Sequence, residues 1–214
     1  MDSNASLRVH ALIPFVLAMT IIVAASNYLV QFPFDHFGLK DILTWGAFTY
    51  PVAFLVNDLC NRRLGPAAAR ATIVAGFVLA VAMSVWLATP RIAIASGTAF
   101  LCAQLLDTQV FNGLRRKTWW KAPFVSTMFG SVLDTILFFG IAFSARFAFI
   151  DAATGMEDGS LGFPVPFWLG GEVPLWVSLA IGDFCVKMAV GLVMLAPYGV
   201  LMSWLIPRSE MVRG

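Results

Sequence analysis

The sequence predicts an all-α, polytopic membrane protein with six transmembrane helices and both termini in the cytosol. Three observations lead there: composition, the length of its apolar stretches, and the placement of its basic residues. Of 214 residues, 59% are hydrophobic and 12% charged, and mean hydropathy is +0.82. Soluble domains average about 25% charged residues, and a soluble chain of this length has a large polar surface to cover. The 14 Lys+Arg and 12 Asp+Glu are too few for that. A soluble enzyme, a nucleic-acid binder and a disordered chain are thereby excluded, leaving a single transmembrane domain over 1–214 with the lipid bilayer as part of its solvent.

Six apolar stretches approach the roughly 20 helical residues that cross a bilayer. They run over about 11–31, 42–59, 71–88, 92–112, 122–149 and 173–206. The first exceeds a signal-peptide core and has a weakly basic flank, so it is retained as a mature helix. Pro197 stands inside the last, where it is expected to kink the helix or end it early. Between the last two, 151–172 is rich in Gly and Pro. It reads as an outer lid or as an interfacial loop that dips its aromatics into the headgroups.

Basic residues give the orientation. Arg8, Arg62, Arg63, Arg70, Arg115, Arg116, Lys117, Lys121, Arg208 and Arg213 fall on one side, and Lys40, Arg91 and Arg146 on the other. An odd number of spans would break that alternation. Trp119, Trp120 and Trp204 mark the inner interface, and Trp86 and Trp168 the outer one. The three cysteines, Cys60, Cys102 and Cys185, are far apart in apolar surroundings and read as small buried hydrophobes. No metal site, cofactor or catalytic constellation is expected, and no enzymatic activity.

The informative residues are polar groups inside apolar spans. A charge at mid-membrane costs about 2.5–3.5 kcal/mol or more, so it faces the bundle interior or water. Helical spacing places Asn27 and Gln31 on one face of the first span. Asp58 lies on one face of the second. Phe100, Gln104 and Asp107 share a face of the fourth, Asp134 and Phe138 of the fifth, and Asp183 and Lys187 of the sixth. The third span is almost wholly apolar and is expected to face lipid. Asp134, Asp183 and Lys187 fall at mid-depth, Asp58 and Asp107 toward the inner end, and Asn27 and Gln31 in the outer third.

Each has a plainer reading. Asp183 and Lys187, four residues apart, can neutralise each other, and Asp58 can anchor a helix end beside Arg62. Gln104 can be an ordinary interhelical hydrogen bonder. Asp134 has no basic neighbour on its own helix, and Lys187 is its expected cross-helix partner. Carboxylates accept paired N–H donors, amides read a carbonyl, and aromatics stack on planar rings. Together these suit a purine-like base, though also other small polar or cationic solutes.

The residues that carry a family resemblance are SNYLVQ at 26–31, WGAF at 45–48, Pro51, Asp58, Arg62 and Gly65. They continue through RIAIAS at 91–96, QLLD at 104–107, VFN at 110–112, Trp119, Trp120, Pro123, Ser126, Thr127 and Gly130. Asp134, Thr135, Phe138, Phe139, Asp183 and Lys187 complete the set. They fall in order over about 26–190 and resemble the VUT-family queuosine precursor transporters. The resemblance implies a bacterial inner-membrane importer of 7-cyano-7-deazaguanine and its 7-aminomethyl analogue, used in tRNA modification. It also implies a six-helix fold similar to the substrate-binding subunits of energy-coupling-factor transporters. Another nucleobase- or vitamin-like solute, carried by an ATP-driven complex, is the alternative. A homo-oligomer stays open, as does the choice among proton coupling, facilitated diffusion and an ATPase module.

On this reading the base passes Asn27 and Gln31, and stacks on Trp45, Phe100 or Phe138. Asp134 or Asp107 accepts its N–H donors, Gln104 reads its carbonyl, and Asp183 and Lys187 rearrange on binding.

Overall fold

The computed structural model describes residues 3–29, 32, 34–36, 45–167 and 170–205. Gln31, Lys40, Trp168, Arg208 and Arg213 lie outside the described residues. Six long helices make the body: α1 (Ser3–Leu29), α2 (Gly46–Leu64), α3 (Pro66–Leu87), α4 (Pro90–Leu114), α5 (Lys121–Phe143) and α7 (Leu175–Leu205), with a short α6 (Ala148–Thr154) after α5. The all-α expectation holds for this body. A small antiparallel hairpin, β1 (Pro164–Pro166) with β2 (Glu172–Pro174), is added between α6 and α7.

Local chemistry sets the tight connections. Gly65 alone joins α2 to α3 at φ 89°, donating its N–H to Asn61 O. A side chain there would be strained, and Pro66 then opens α3 at a position that needs no N–H. Thr89 caps α4 by accepting from Ile92 N, with Pro90 next.

Helix α2 is the hub, packed against α1, α3, α4 and α7, and the broadest interface is α4 on α5. At Gly130 of α5 an added Cβ would lie 2.7 Å from Phe54 and 3.3 Å from the Ala103 carbonyl oxygen, so this glycine sets how closely α5 approaches α2 and α4. The apolar core runs through Met19, Ile73, Cys60, Phe100, Phe111 and Tyr198. Among the described residues, four segments are long and apolar enough to cross a membrane: His10–Leu29, Pro66–Ser84, Lys121–Phe143 and Leu175–Trp204. Helices α2 and α4 are less apolar because they carry buried polar residues, Asn57, Asp58 and Asn61 on one and Gln104, Asp107 and Thr108 on the other. Those residues turn into the bundle, where Asn57, Asn61, Asp58 and Thr108 find partners within the protein rather than in lipid.

Several expectations are corrected. The fifth apolar run does not continue to 149 as one helix: α5 ends at Phe143, and a 3₁₀ turn leads into α6. Ser144 takes extended backbone and its hydroxyl accepts from Arg146 N. Arg91 binds the Ile141 and Ser144 carbonyls, which satisfies the frayed end. Pro197 does not end α7, a single 31-residue helix to Leu205. Cys60 is buried as expected, but Cys102 and Cys185 are exposed on the helix surface. Helix α3 turns Ala69, Thr72, Ile73 and Ala80 inward and leaves Val74, Val78 and Trp86 exposed, so only part of it is free to face lipid.

Candidate functional site

Polar side chains gather at three levels of the bundle. At mid-depth, Lys187 of α7 donates to Asp134 Oδ2 of α5 at 2.6 Å and pairs with Asp183 Oδ2, one turn earlier on its own helix, at 2.5 Å. Thr135 donates to the same Asp183 oxygen at 3.0 Å. Lys187 and Asp134 are buried. The cross-helix partner expected for Asp134 is therefore present, and so is the same-helix pair. One ammonium faces two carboxyl groups, one from each helix.

Beside this triad an open groove of about 870 Å³ separates α5 from α7. Thr135, Gly140 and Ile141 of α5 and Trp176, Ala180 and Phe184 of α7 line it, with Phe147 and Arg146 at the end where α5 gives way to α6. Its wall is apolar apart from a few groups, and its volume falls in the range of small-molecule sites. Through Thr135 it reaches Asp183.

The second level lies where α2 and α4 end and α5 begins. Asn57 donates to Asp107 Oδ2 at 2.9 Å and to Thr108 Oγ1 at 3.0 Å. Asn61 donates to the Thr108 carbonyl at 3.1 Å, and Ser126 reaches Asp58 Oδ1 at 3.4 Å. Asp58 does not pair with Arg62, as an end-anchor reading requires. The Arg62 guanidinium goes to Tyr198 OH, Arg115 O and Trp119 O, while Arg115 returns a bond to Arg62 O at 2.5 Å. Each arginine thus caps the other's helix end, where carbonyls lack partners and the helix dipole is negative.

The third level is at the opposite end. Arg91, the first residue after Pro90 of α4, is only 1% exposed. It binds Asp151 Oδ2 at 2.6 Å and Ser160 Oγ at 3.2 Å, besides the two α5 carbonyls. Asp158 stands 3.5 Å away. Hydrogen bonds from Ser160 hold the Asp158 carboxyl below the usual range, with the Arg91 charge adding to that.

The remaining expected residues are dispersed. Asn27 donates to Val23 O on α1. Trp45 heads an aromatic group with Phe34, His36 and Phe48 at the start of α2. Phe100 is in the core against Tyr50, and Phe138 packs on Phe139 and Phe143; neither lines the groove. Gln104 is buried beside Asp107 and Thr108 on α4. Sequence reasoning overlooked Asn57, Asn61 and Thr108, although their four-residue spacing with Asp107 and Gln104 nearby was visible. It used Arg91 as an orientation marker and as part of the family motif, not as a tie between helices.

Long apolar helices around buried ion pairs, with a lateral groove, define a polytopic membrane protein as the class. Sequence comparison gives the particular family. A family model described as "putative vitamin uptake transporter" matches residues 44–89 and 83–201, and the chain belongs to that VUT family, as its motifs suggested. It is 34% identical to the queuosine precursor transporter of Escherichia coli (strain K12), over 94% of this chain and 90% of that protein. The probable queuosine precursor transporter of Haemophilus influenzae is 33% identical over 89% of this chain and 86% of its own length. That of Bacillus subtilis (strain 168) is 26% identical over 82% and 77%. No solved structure matches the chain.

Proposed function

We propose that this chain imports queuosine precursors, 7-cyano-7-deazaguanine and 7-aminomethyl-7-deazaguanine, across the bacterial inner membrane. It crosses the bilayer six times with both termini in the cytosol. The relatives named above support the substrate class, and the basic-residue asymmetry supports the orientation.

The observation that carries the site is the Lys187–Asp134–Asp183 triad behind the α5–α7 groove. One carboxylate suffices to neutralise Lys187, which leaves the other to accept the paired N–H donors of a guanine-like edge. The groove takes the planar ring against Trp176 and Phe184, and Thr135 relays its presence to Asp183. Asn27, Gln31 and Trp45 belong to the entry side, Phe138 to the α5 wall behind it, and Asp58, Gln104 and Asp107 to the release side. The packed position of Phe100 makes it a support for these helices. The energy-coupling-factor-like arrangement belongs to this same reading. Since the matched family is described by vitamin uptake, another vitamin- or nucleobase-like solute is the second reading.

The test is a bacterial host that neither makes the precursor nor carries its own importer. With this gene, nanomolar 7-cyano-7-deazaguanine restores queuosine in its tRNA, read by boronate gel retardation. No restoration at confirmed membrane expression overturns the proposal.

A further inference from the structure

The α2–α4 seam holds a chemical imbalance that the precursor site leaves unexplained. Asp58 and Asp107 lie beside each other, both at most 1% exposed. Among the described residues, the ion pairs leave both of them out. Around them four buried oxygens have no donor: Asn57 Oδ1, Asn61 Oδ1, Gln104 Oε1 and Asp107 Oδ1.

The two amide orientations follow from their partners. The Asn61 nitrogen faces the Thr108 carbonyl, a pure acceptor, which fixes that amide, and the Asn57 nitrogen faces the Asp107 carboxyl. Both heads cross to α4, which puts their carbonyl oxygens in the seam. The seam is therefore lined by acceptors alone on one side. Buried acceptors without partners cost about 1–3 kcal/mol each, and two adjacent buried carboxyl groups must either share a proton or hold a cation between them.

We infer that this seam is a binding site for a dehydrated monovalent alkali cation, Na⁺ foremost, held by Asp58, Asp107, Asn57, Asn61 and Gln104. A proton on the carboxyl pair would answer the charge but leave the two asparagine oxygens without a partner. A hard metal cation takes carboxylate and carbonyl oxygens together. Arg62, one turn beyond Asp58, already supplies part of the compensating charge, so a single positive charge fits and a divalent ion exceeds the need. In this structure Asn57, Asn61, Asp107 and Thr108 are closed on one another by bonds of 2.9–3.1 Å, so the base passes this end only once the seam opens. The site bridges α2 and α4, and α4 is packed on α5, which carries Asp134. Ion occupancy thereby bears on how these helices sit beside the groove. Its use as a coupling ion rests on the transport reading, whereas its binding does not.

The full chain, purified in detergent without any precursor, is titrated with ²²Na⁺. Saturable one-to-one binding is expected, displaced by unlabelled Na⁺ and not by choline. Hydrogen exchange on the same protein locates it: Na⁺, but not choline, slows exchange over 57–61 and 104–108. Asp107→Asn and Gln104→Met, each checked for a monodisperse gel-filtration peak, weaken binding by at least about tenfold, while Asp158→Asn leaves it unchanged. Absence of saturable binding to the wild-type protein overturns the inference and means that water fills the seam. So does binding that survives both substitutions in folded protein, or protection that falls elsewhere.

Discussion

Lys187 is the residue on which the mid-depth site turns, because it neutralises carboxylates from two helices at once. Lys187→Met would leave Asp134 and Asp183 buried with no counter-charge, a loss of about 3–5 kcal/mol read as a lowered unfolding midpoint in detergent. Adding Asp134→Asn should recover much of that stability without recovering uptake. Asp134→Asn alone should cut uptake of labelled precursor at normal expression; full uptake would remove Asp134 from the mechanism. This triad was legible in one dimension, since a charge inside an apolar run stands out wherever the helix lies. Arg91 was not. Its partners, Ile141, Ser144, Asp151 and Ser160, lie 50 to 69 residues away along the chain, and nothing at position 91 announces them. Arg91→Ala should expose 155–163 to limited proteolysis far faster than in wild type. Arg91→Lys should rescue little, because an ammonium cannot reproduce a fork that serves four partners.

At the scale of the helix, each of the six long helices overlaps one of the apolar runs, while Gly65 with Pro66 and Thr89 with Pro90, which make two of the breaks, went unread. The end of α5 was misjudged because Ala145, Phe147, Ala148 and Phe149 keep the stretch largely apolar after the helix has stopped. There the deciding force is the tertiary grip of Arg91 on two carbonyls, which composition does not encode. Glycines divide in the same way. Gly130→Ala should destabilise by about 1–3 kcal/mol, since its new methyl meets the Phe54 ring and the Ala103 backbone oxygen. Gly76→Ala meets Met19 Cγ at 2.8 Å and the Phe100 ring at 3.2 Å but no backbone atom, and should cost somewhat less. The two unfolding midpoints, compared in one detergent, decide the order. The acceptor-rich seam escaped the sequence reading because each of its members is ordinary alone; only the α2–α4 pairing makes their oxygens redundant.

For the whole molecule, the charge asymmetry makes a concrete claim about sidedness. A green fluorescent protein fused to the C-terminus should fluoresce, and alkaline phosphatase inserted in the exposed stretch 155–159 should be active; the reverse result would invert the topology. The Lys187–Asp134 contact also has a consequence in time. During synthesis α5 is complete, with Asp134 at its centre, well before α7 has been made, and 53 positions separate the acid from its base. Until α7 docks, Asp134 is an uncompensated charge in an apolar helix, so assembly has a fixed last step. A chain stopped short of residue 187 should therefore be degraded rather than accumulate as a stable five-helix fragment, which makes this ion pair a checkpoint on membrane biogenesis.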